Sequence, residues 1–516
     1  MALSTDEENK VREIIEAFTN GKRLSDLPDV SGDNPFKLLC EVLEDGESKK
    51  AALAAMLPYM EENCMYGIEY DVTVSSPDVT RIGNMSLHKS LPVHNRMKGC
   101  LLDDNGNVVE YLNPSDWTGQ TRDGSRGQVM VELPMYYRKF ETEGNKRRVK
   151  FSEYPLPGYH QVKKKYVSAY EASVQRSTTK LCSVVNDGAD YRGGGNQSDW
   201  DNTYRSVLGR PATSISRTNF RAYARKRKPS TKEWNCMTYD IQKDIYWLFA
   251  VEYATLNSQK AYNAAKDSNG YAQGGLGDGV TTLDSGKWNT FNGYYPFIPC
   301  GYTDELGNGT GEKEYTMPTE YDTSSKKVKV CRYRGIENPF GHIWQWTDGI
   351  NIQIQSAAAG GLSKVFVTDD PEKFNDSNYT GYSHVGNEAR TEAYVKSVIF
   401  GEGGEIIPDV VGGGSTTYFC DYHYTNIPSS GEVLRGVLFG GGAINGALAG
   451  LAFALSTNAP SNTSASIGSH LCFKIGFDNM KQNKRMTALP LGKRFQANLL
   501  KVLVGTPVVW ATENSD

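Results

Sequence analysis

The stretch Leu434–Phe473, LRGVLFGGGAINGALAGLAFALSTNAPSNTSASIGSHLCF, is a scaffold of Gly, Ala and Ser with unlike residues dropped in at short intervals. It contains no Lys, Glu, Gln, Met or Trp. Small residues can hold a backbone shape while neighbouring positions change, which is what a recognition surface needs. Two plainer readings compete. Val437–Leu455 is nearly all apolar or small, with Gly446 and Gly450 spaced as in a helix-pairing motif, and a membrane helix needs about 20 such residues. Against it, Asn445 sits mid-run and Gly440, Gly441 and Gly442 are consecutive. Each Gly costs a helix about 1 kcal/mol. No basic cluster flanks the run closely. The other reading is a buried, Gly-rich strand and loop.

The five missing residue types are those that cannot arise when an AAC codon is randomised at its two adenines. With the frame LRG…FGG…AG…APS…IGS-x-LCF, the segment resembles the variable region of proteins diversified by diversity-generating retroelements. The resemblance implies a C-type-lectin-like fold with a ligand-binding face. The varied side chains would be Gly442, Ile444, Asn445, Leu448, Leu451, Phe453, Ala454, Thr457, Asn458 and Asn462. Gly446, Ala449, Gly450, Pro460 and Gly468 would hold the backbone. Ile444, Leu448, Leu451 and Phe453 would then form an apolar centre, and Asn445, Asn458 and Asn462 a polar rim, the anatomy of a binding hot spot. The same apolar residues would also serve as core. The frame departs from the family at His470, where an Arg is common. It also departs in a tail beyond it that carries Phe495, Leu499, Leu500, Val502 and Val504.

A second motif lies upstream, Arg334-Gly-Ile-Glu-Asn-Pro-Phe-Gly-His-Ile-Trp-Gln-Trp-Thr-Asp-Gly349. Asn338-Pro339 makes a turn and Gly341 lets backbone pass closely. Trp344 and Trp346, alternating on a strand, would form a core wall. The motif resembles the N-x-x-G-N-V-W-E-W signature of formylglycine-generating-enzyme-like domains, an elaborated branch of the same lectin fold. Arg435-Gly436-Val437-Leu438-Phe439-Gly440-Gly441 matches part of a later segment of that family.

Catalysis is disfavoured. The family's enzymes use a close pair of reactive Cys. Cys420 and Cys472 are far apart in sequence and lie outside the catalytic motif. The seven His show no metal-ligand spacing, and no nucleophile–base pair or phosphate loop is present. Asp421-Tyr422-His423-Tyr424 is the best local chemical cluster, and a buried, hydrogen-bonded histidine is its expected role. Asp103-Asp104-Asn105-Gly106-Asn107 lacks the spacing and closing Glu of a calcium loop and reads as a hairpin turn. No cofactor or metal is expected.

A chain of 516 residues implies two or three domains. With 39% hydrophobic and 11% aromatic residues it is globular, and a formal charge of −4 gives no general attraction to nucleic acid. The basic runs 146–148, 163–165 and 225–228 read as solvated faces or loops. Nine Cys with no CxxC suggest buried thiols and folding in a reducing cytoplasm. The start MALSTDEENK has no signal-peptide pattern.

Residues 1–65 read as helices, with a capping box at Ser4–Glu7, and would form either a module that attaches to other virion proteins or a plain small helical domain. From Gly67 the period changes to that of strands, including Gln128–Leu133 and Met135–Phe140. A clear helix is expected between Trp234 and Lys260, followed by long Gly-, Asn- and Asp-rich connections.

The expected organisation is an α+β C-type-lectin (formylglycine-generating-enzyme-like) domain with long loops. A helical module over 1–65 and a β-rich region over 66–165 precede a ligand-binding domain over 166–475, and a tail over 476–516 follows. The expected function is a phage-type tail fibre or receptor-binding protein. It would be made in the host cytoplasm, carried on the virion, and bind a host-surface protein or glycan, with no nucleic acid and no membrane insertion. A homotrimer is plausible by analogy with fibres. The alternatives are a virion structural or decoration protein and a divergent oxidase.

Overall fold

The computed structural model describes residues 61–318 and 326–474. The expected N-terminal helices, their attachment role and the apolar tail lie outside the described residues. The chain divides into two compact units. In the unit made of Met1–Met65, Ser152–Tyr159 and Phe477–Asp516, the Ser152 hydroxyl donates to the Cys64 carbonyl at 2.9 Å and the Tyr159 hydroxyl to Glu61 at 3.2 Å.

The larger unit, Tyr66–Phe151 and His160–Gly476, is built on strands. Those used below are Lys98–Leu102 (β1), Val108–Tyr111 (β2), Gln128–Leu133 (β3), Lys165–Glu171 (β4) and Trp234–Cys236 (β5). Then come Trp344–Gln355 (β6), Ser363–Val367 (β7), Ser383–Asn387 (β8), Ala393–Val398 (β9) and Pro408–Val411 (β10). Last are Tyr422–Thr425 (β11), Glu432–Gly440 (β12), Gly450–Ser456 (β13), Ile467–Gly468 (β14) and His470–Lys474 (β15). A six-stranded antiparallel sheet runs β5-β15-β4-β3-β1-β2. A nine-stranded sheet runs β8-β7-β6-β12-β13-β11-β9-β10, with β14 pairing β6 in parallel. Within it β11 and β13 are also parallel. The boundary expected between residues 165 and 166 falls inside β4, whose neighbours come from both sides of it.

One long helix, Tyr239–Tyr253, lies against the nine-stranded sheet, and every residue in it except Asp240 is buried. A helix buried all round is covered on all sides, and its polar side chains Gln242, Lys243, Asp244 and Glu252 are buried with the apolar ones. Tyr239 stacks on Phe439 of β12 at 6.0 Å between centroids, and the Gln242 amide donates to the Leu451 carbonyl of β13 at 2.7 Å. Its other side meets the six-stranded sheet, where Lys165 of β4 pairs with Asp240 at 2.9 Å and Asp244 at 2.5 Å. Buried charges placed this way must be paired to be tolerated. Full burial of side chains such as Ile241, Leu248 and Phe249 contributes about 1.5–3 kcal/mol each. Helix Arg217–Arg225 begins at Ser216, whose hydroxyl accepts the Asn219 amide. Helix Ser285–Asn292 begins at Asp284, whose carboxylate accepts the Lys287 amide.

The expected α+β C-type-lectin architecture is corrected by this structure, whose described residues are about 35% strand and 14% helix. The physical reason lies in the pattern. Period-two apolar alternation recurs along the chain, whereas apolar residues at helical spacing persist over several turns only in Tyr239–Tyr253 among the described residues. Expected local features hold. Gln128–Leu133 is a strand, Asp103–Asn107 is the β1–β2 turn, and Trp344 and Trp346 share one face of β6 as buried wall residues. The expected helix is shorter than its sequence window, because Trp234–Cys236 joins a sheet and Ala254 turns into the left-handed region at φ +52°.

Candidate ligand-binding surface

The loop between β12 and β13, residues 441–449, is held by its backbone from several sides. The Ala443 amide donates to the His342 carbonyl at 3.1 Å, and the Ala443 carbonyl accepts the Leu283 amide at 3.0 Å. The Gly446 amide donates to the Thr281 carbonyl at 2.7 Å, and the Gln259 side chain donates to the carbonyls of Gly446 and Ala449. Gly440, Gly441 and Gly446 have φ of +95°, +88° and +52°, a region where other residues pay strain. Ala443 is buried in a second apolar cluster with Trp288, Val280 and Leu283. The segment around helix Ser285–Asn292 therefore buttresses this loop.

The ten expected contact residues separate. Ile444 is 37% exposed, Leu448 is half-buried and Ala447 between them is exposed. Asn462 is exposed, while Thr457 and Asn458 are half-buried. Gly442, Leu451, Phe453 and Ala454 are buried, so the expected apolar centre is divided between surface and core. On β13 the period-two alternation turns Phe453 toward Trp344 and Ala454 toward Phe439 on the helix side. Gly442 faces Trp288, where a Cβ would lie 3.2 Å from the ring. Asn445 is a fastener rather than a rim residue, since its side-chain oxygen accepts the Gly442 amide at 2.7 Å.

Trp344 joins this loop to the next one. Its amide donates to the Ser466 carbonyl at 2.9 Å, and a Cβ on Gly442 would stand 3.5 Å from its ring. Phe453 packs on it at 4.6 Å. From Phe453 a row of half-buried tyrosines continues across the sheet. Tyr424 lies 5.4 Å from Phe453, Tyr422 5.0 Å from Tyr424, and Tyr394 5.1 Å from Tyr422. Sequence reasoning noted Tyr422 and Tyr424 beside His423 but missed the row. Their alternation around a buried residue was the available signal, and Tyr394 reaches them only through sheet pairing.

Beneath the row, polar groups are sealed in. His423 has the expected role, buried between the carbonyls of Ala454 at 3.3 Å and Ala389 at 3.1 Å, and burial lowers its pKa. Glu388 accepts the hydroxyls of Ser456 at 2.9 Å and Thr425 at 3.1 Å, and burial pushes its carboxyl up to about 8. Asp421 accepts the Ala452 amide at 2.8 Å and is raised well above the usual carboxylate range by burial. His470, the departure from the family frame, is a core residue hydrogen-bonded to the Ser168 hydroxyl at 2.8 Å. The segment itself is uncharged, for no Asp, Glu, Lys or Arg occurs from Gly436 to Ser469.

All eight described Cys are buried and unpaired, and burial pushes the Cys420 thiol up to about 12 and raises Cys472 well above its ordinary value. Among the described residues no three His, Cys, Asp or Glu side chains gather as a metal site requires. The basic runs are tied to local acids: Lys146 and Arg148 to Glu69, Arg227 to Asp104, and Lys228 to Glu233. Among the described residues no helix is long and apolar enough to cross a membrane, and Val437–Leu455 is strand, loop and strand.

No family model matches this chain, and no curated protein matches it. Solved structures that resemble it include PvdO from Pseudomonas aeruginosa, at 10% identity and a TM-score of 0.31, covering 69% of this chain and 98% of that one. Another is a Major Tropism Determinant U1 variant, at 12% identity and a TM-score of 0.23, covering 73% of this chain and 72% of that one. At these scores neither likeness assigns a fold or a function.

Proposed function

We propose that this chain is a receptor-binding protein of a phage virion, presenting the loop 441–449 and its surroundings to a host-cell surface. The observation that carries the reading is the loop itself. Its backbone is bonded to Thr281, Leu283, His342 and Gln259, while Ile444 and Ala447 are exposed and Leu448 is half-buried beside them, all uncharged. Rigid presentation of a few apolar side chains cuts the ordering cost of binding. The reading is non-catalytic, and the buried, raised thiols of Cys420 and Cys472 are consistent with it. The absence of Lys, Glu, Gln, Met and Trp from the segment supports retroelement diversification of this surface.

Sequencing codons 436–473 across a propagated population of the source tests the diversification. The reading expects changes concentrated at 444, 447, 448, 457, 458 and 462, with only AAC-derived residue types. Changes spread equally over Leu451, Phe453 and Ala454 would contradict it.

A further inference from the structure

Building on that reading, we propose that the tyrosine row Tyr394–Tyr422–Tyr424 is a binding site for a neutral glycan. Tyr422 and Tyr424 project from the same face of β11, and Tyr394 stands across from Tyr422 in the paired strand β9. The row rests on the buried Phe453 and Trp344, so its inner edge is fixed by packing while the outer rings stay half-exposed. The long helix covers the other face of the sheet, where Tyr239 meets Phe439. Tyrosines held this way offer wide, rigid, amphipathic area at low entropic cost.

Three observations narrow the ligand. Among the described residues, neither the Tyr422 nor the Tyr424 hydroxyl has a hydrogen-bond partner, so both are available as donors and acceptors. The strands beneath are internal. β11 is paired with β9 and β13, and β9 also with β10, so an extended peptide finds no free edge on the strands that carry the row. Charge also discriminates. The adjoining segment from Gly436 to Ser469 is uncharged, and the Glu392 carboxylate accepts the Thr425 amide at 3.3 Å, one residue from Tyr424, whose hydroxyl pKa is raised by burial first and by Tyr422 and Glu392 after it. An anionic group laid on Tyr424 would meet this carboxylate, while the cation on β9, Lys396, stands beyond Tyr394 and is held over the Tyr418 ring at 5.5 Å. A polyhydroxylated, uncharged ligand instead lays its C–H faces on the rings and its hydroxyls on the two phenols and Glu392.

The test uses the full chain on immobilised neutral oligosaccharides ending in hexose or N-acetylhexosamine, beside their sialylated and sulfated counterparts. At least one neutral oligosaccharide is expected to bind, its sialylated form several-fold more weakly. Tyr424→Ala and Tyr422→Ala should each weaken binding at least 10-fold in variants that still unfold cooperatively, at a melting temperature lowered by the lost ring packing. The double Tyr422→Phe, Tyr424→Phe variant, which keeps the packing, should weaken it several-fold through the lost hydroxyls alone. Glu392→Gln should narrow the gap between neutral and sialylated forms. No binding across the neutral panel, a preference for anionic sugars, or binding indifferent to all the tyrosine variants would overturn the assignment. Retention on intact cells separates this from the wider reading. Retention that survives periodate but not protease overturns the glycan and leaves the receptor-binding role standing. Retention on no cells overturns both.

Discussion

Asp421 occupies the space a side chain on Gly450 would need. A Cβ on Gly450 would lie 1.9 Å from the Asp421 carboxyl oxygen and 2.7 Å from the Ser258 hydroxyl. The other Asp421 oxygen accepts the Ala452 amide at 2.8 Å, and the Ser258 hydroxyl accepts the Leu451 amide at 3.0 Å. The start of β13, and with it the end of the exposed loop, is pinned by groups that demand a glycine. Gly450→Ala is expected to destabilise by about 1–3 kcal/mol through overpacking, read as a lowered melting temperature. An unchanged melt would show that Asp421 does not hold this position.

The same strand and loop separate stability from recognition. Phe453→Ala removes a ring packed on Trp344 and Tyr424 and should cost about 3–5 kcal/mol. Ile444→Ala, at an exposed site, should fall within about 0.5 kcal/mol of the parent. Chemical denaturation of the two variants checks both values.

Asn445 ties its own loop. Asn445→Ala loses the bond to the Gly442 amide and leaves that buried amide unsatisfied, a cost of about 1–3 kcal/mol. Faster amide hydrogen exchange at Gly442 and Leu448 is the expected signature, since the Leu448 amide also donates to the Asn445 carbonyl.

Glu388 sets a pH dependence. Its carboxyl is raised by burial from 4.5 to about 8, so the folded state keeps a proton that the unfolded chain releases. The stabilisation is full below pH 4.5 and is lost as pH rises toward 8. At about 1.4 kcal/mol per pH unit the loss reaches about 3 kcal/mol by pH 7. Glu388→Gln keeps acceptance from Ser456 and Thr425 without the charge. It should raise stability at pH 8 and shrink the fall across this range, with Asp421, also raised, contributing what remains. Melting temperatures at pH 5 and pH 8 for both proteins decide it.

Local features were legible in the sequence where one strong pattern governed them. Gln128–Leu133, the Asp103–Asn107 turn, the Trp344 and Trp346 wall and the sealed His423 each follow from spacing or from turn chemistry. The fold class was misread because short motifs suggested a lectin-like architecture, while the strand content is set by alternation spread thinly over many short segments. Site residues were half legible. Small-residue patterning marked the loop 441–449, but it could not show that period-two geometry would bury Leu451 and Phe453 while Ile444 stayed outside. Tyr394 was invisible, because its approach to Tyr422 depends on strand pairing between segments distant in the chain.

The central claim is that the outward side chains of the loop 441–449 contact a host-cell receptor. The most direct measurement is retention of the fluorescently labelled full chain on a panel of intact bacterial strains, for the parent and for the double Ile444→Asp, Ala447→Asp variant, both sites being exposed. The account predicts retention of the parent on at least one strain and a loss of 10-fold or more for the variant, with its melting temperature little changed. Equal retention of a folded variant, or no retention of the parent on any strain, would contradict it.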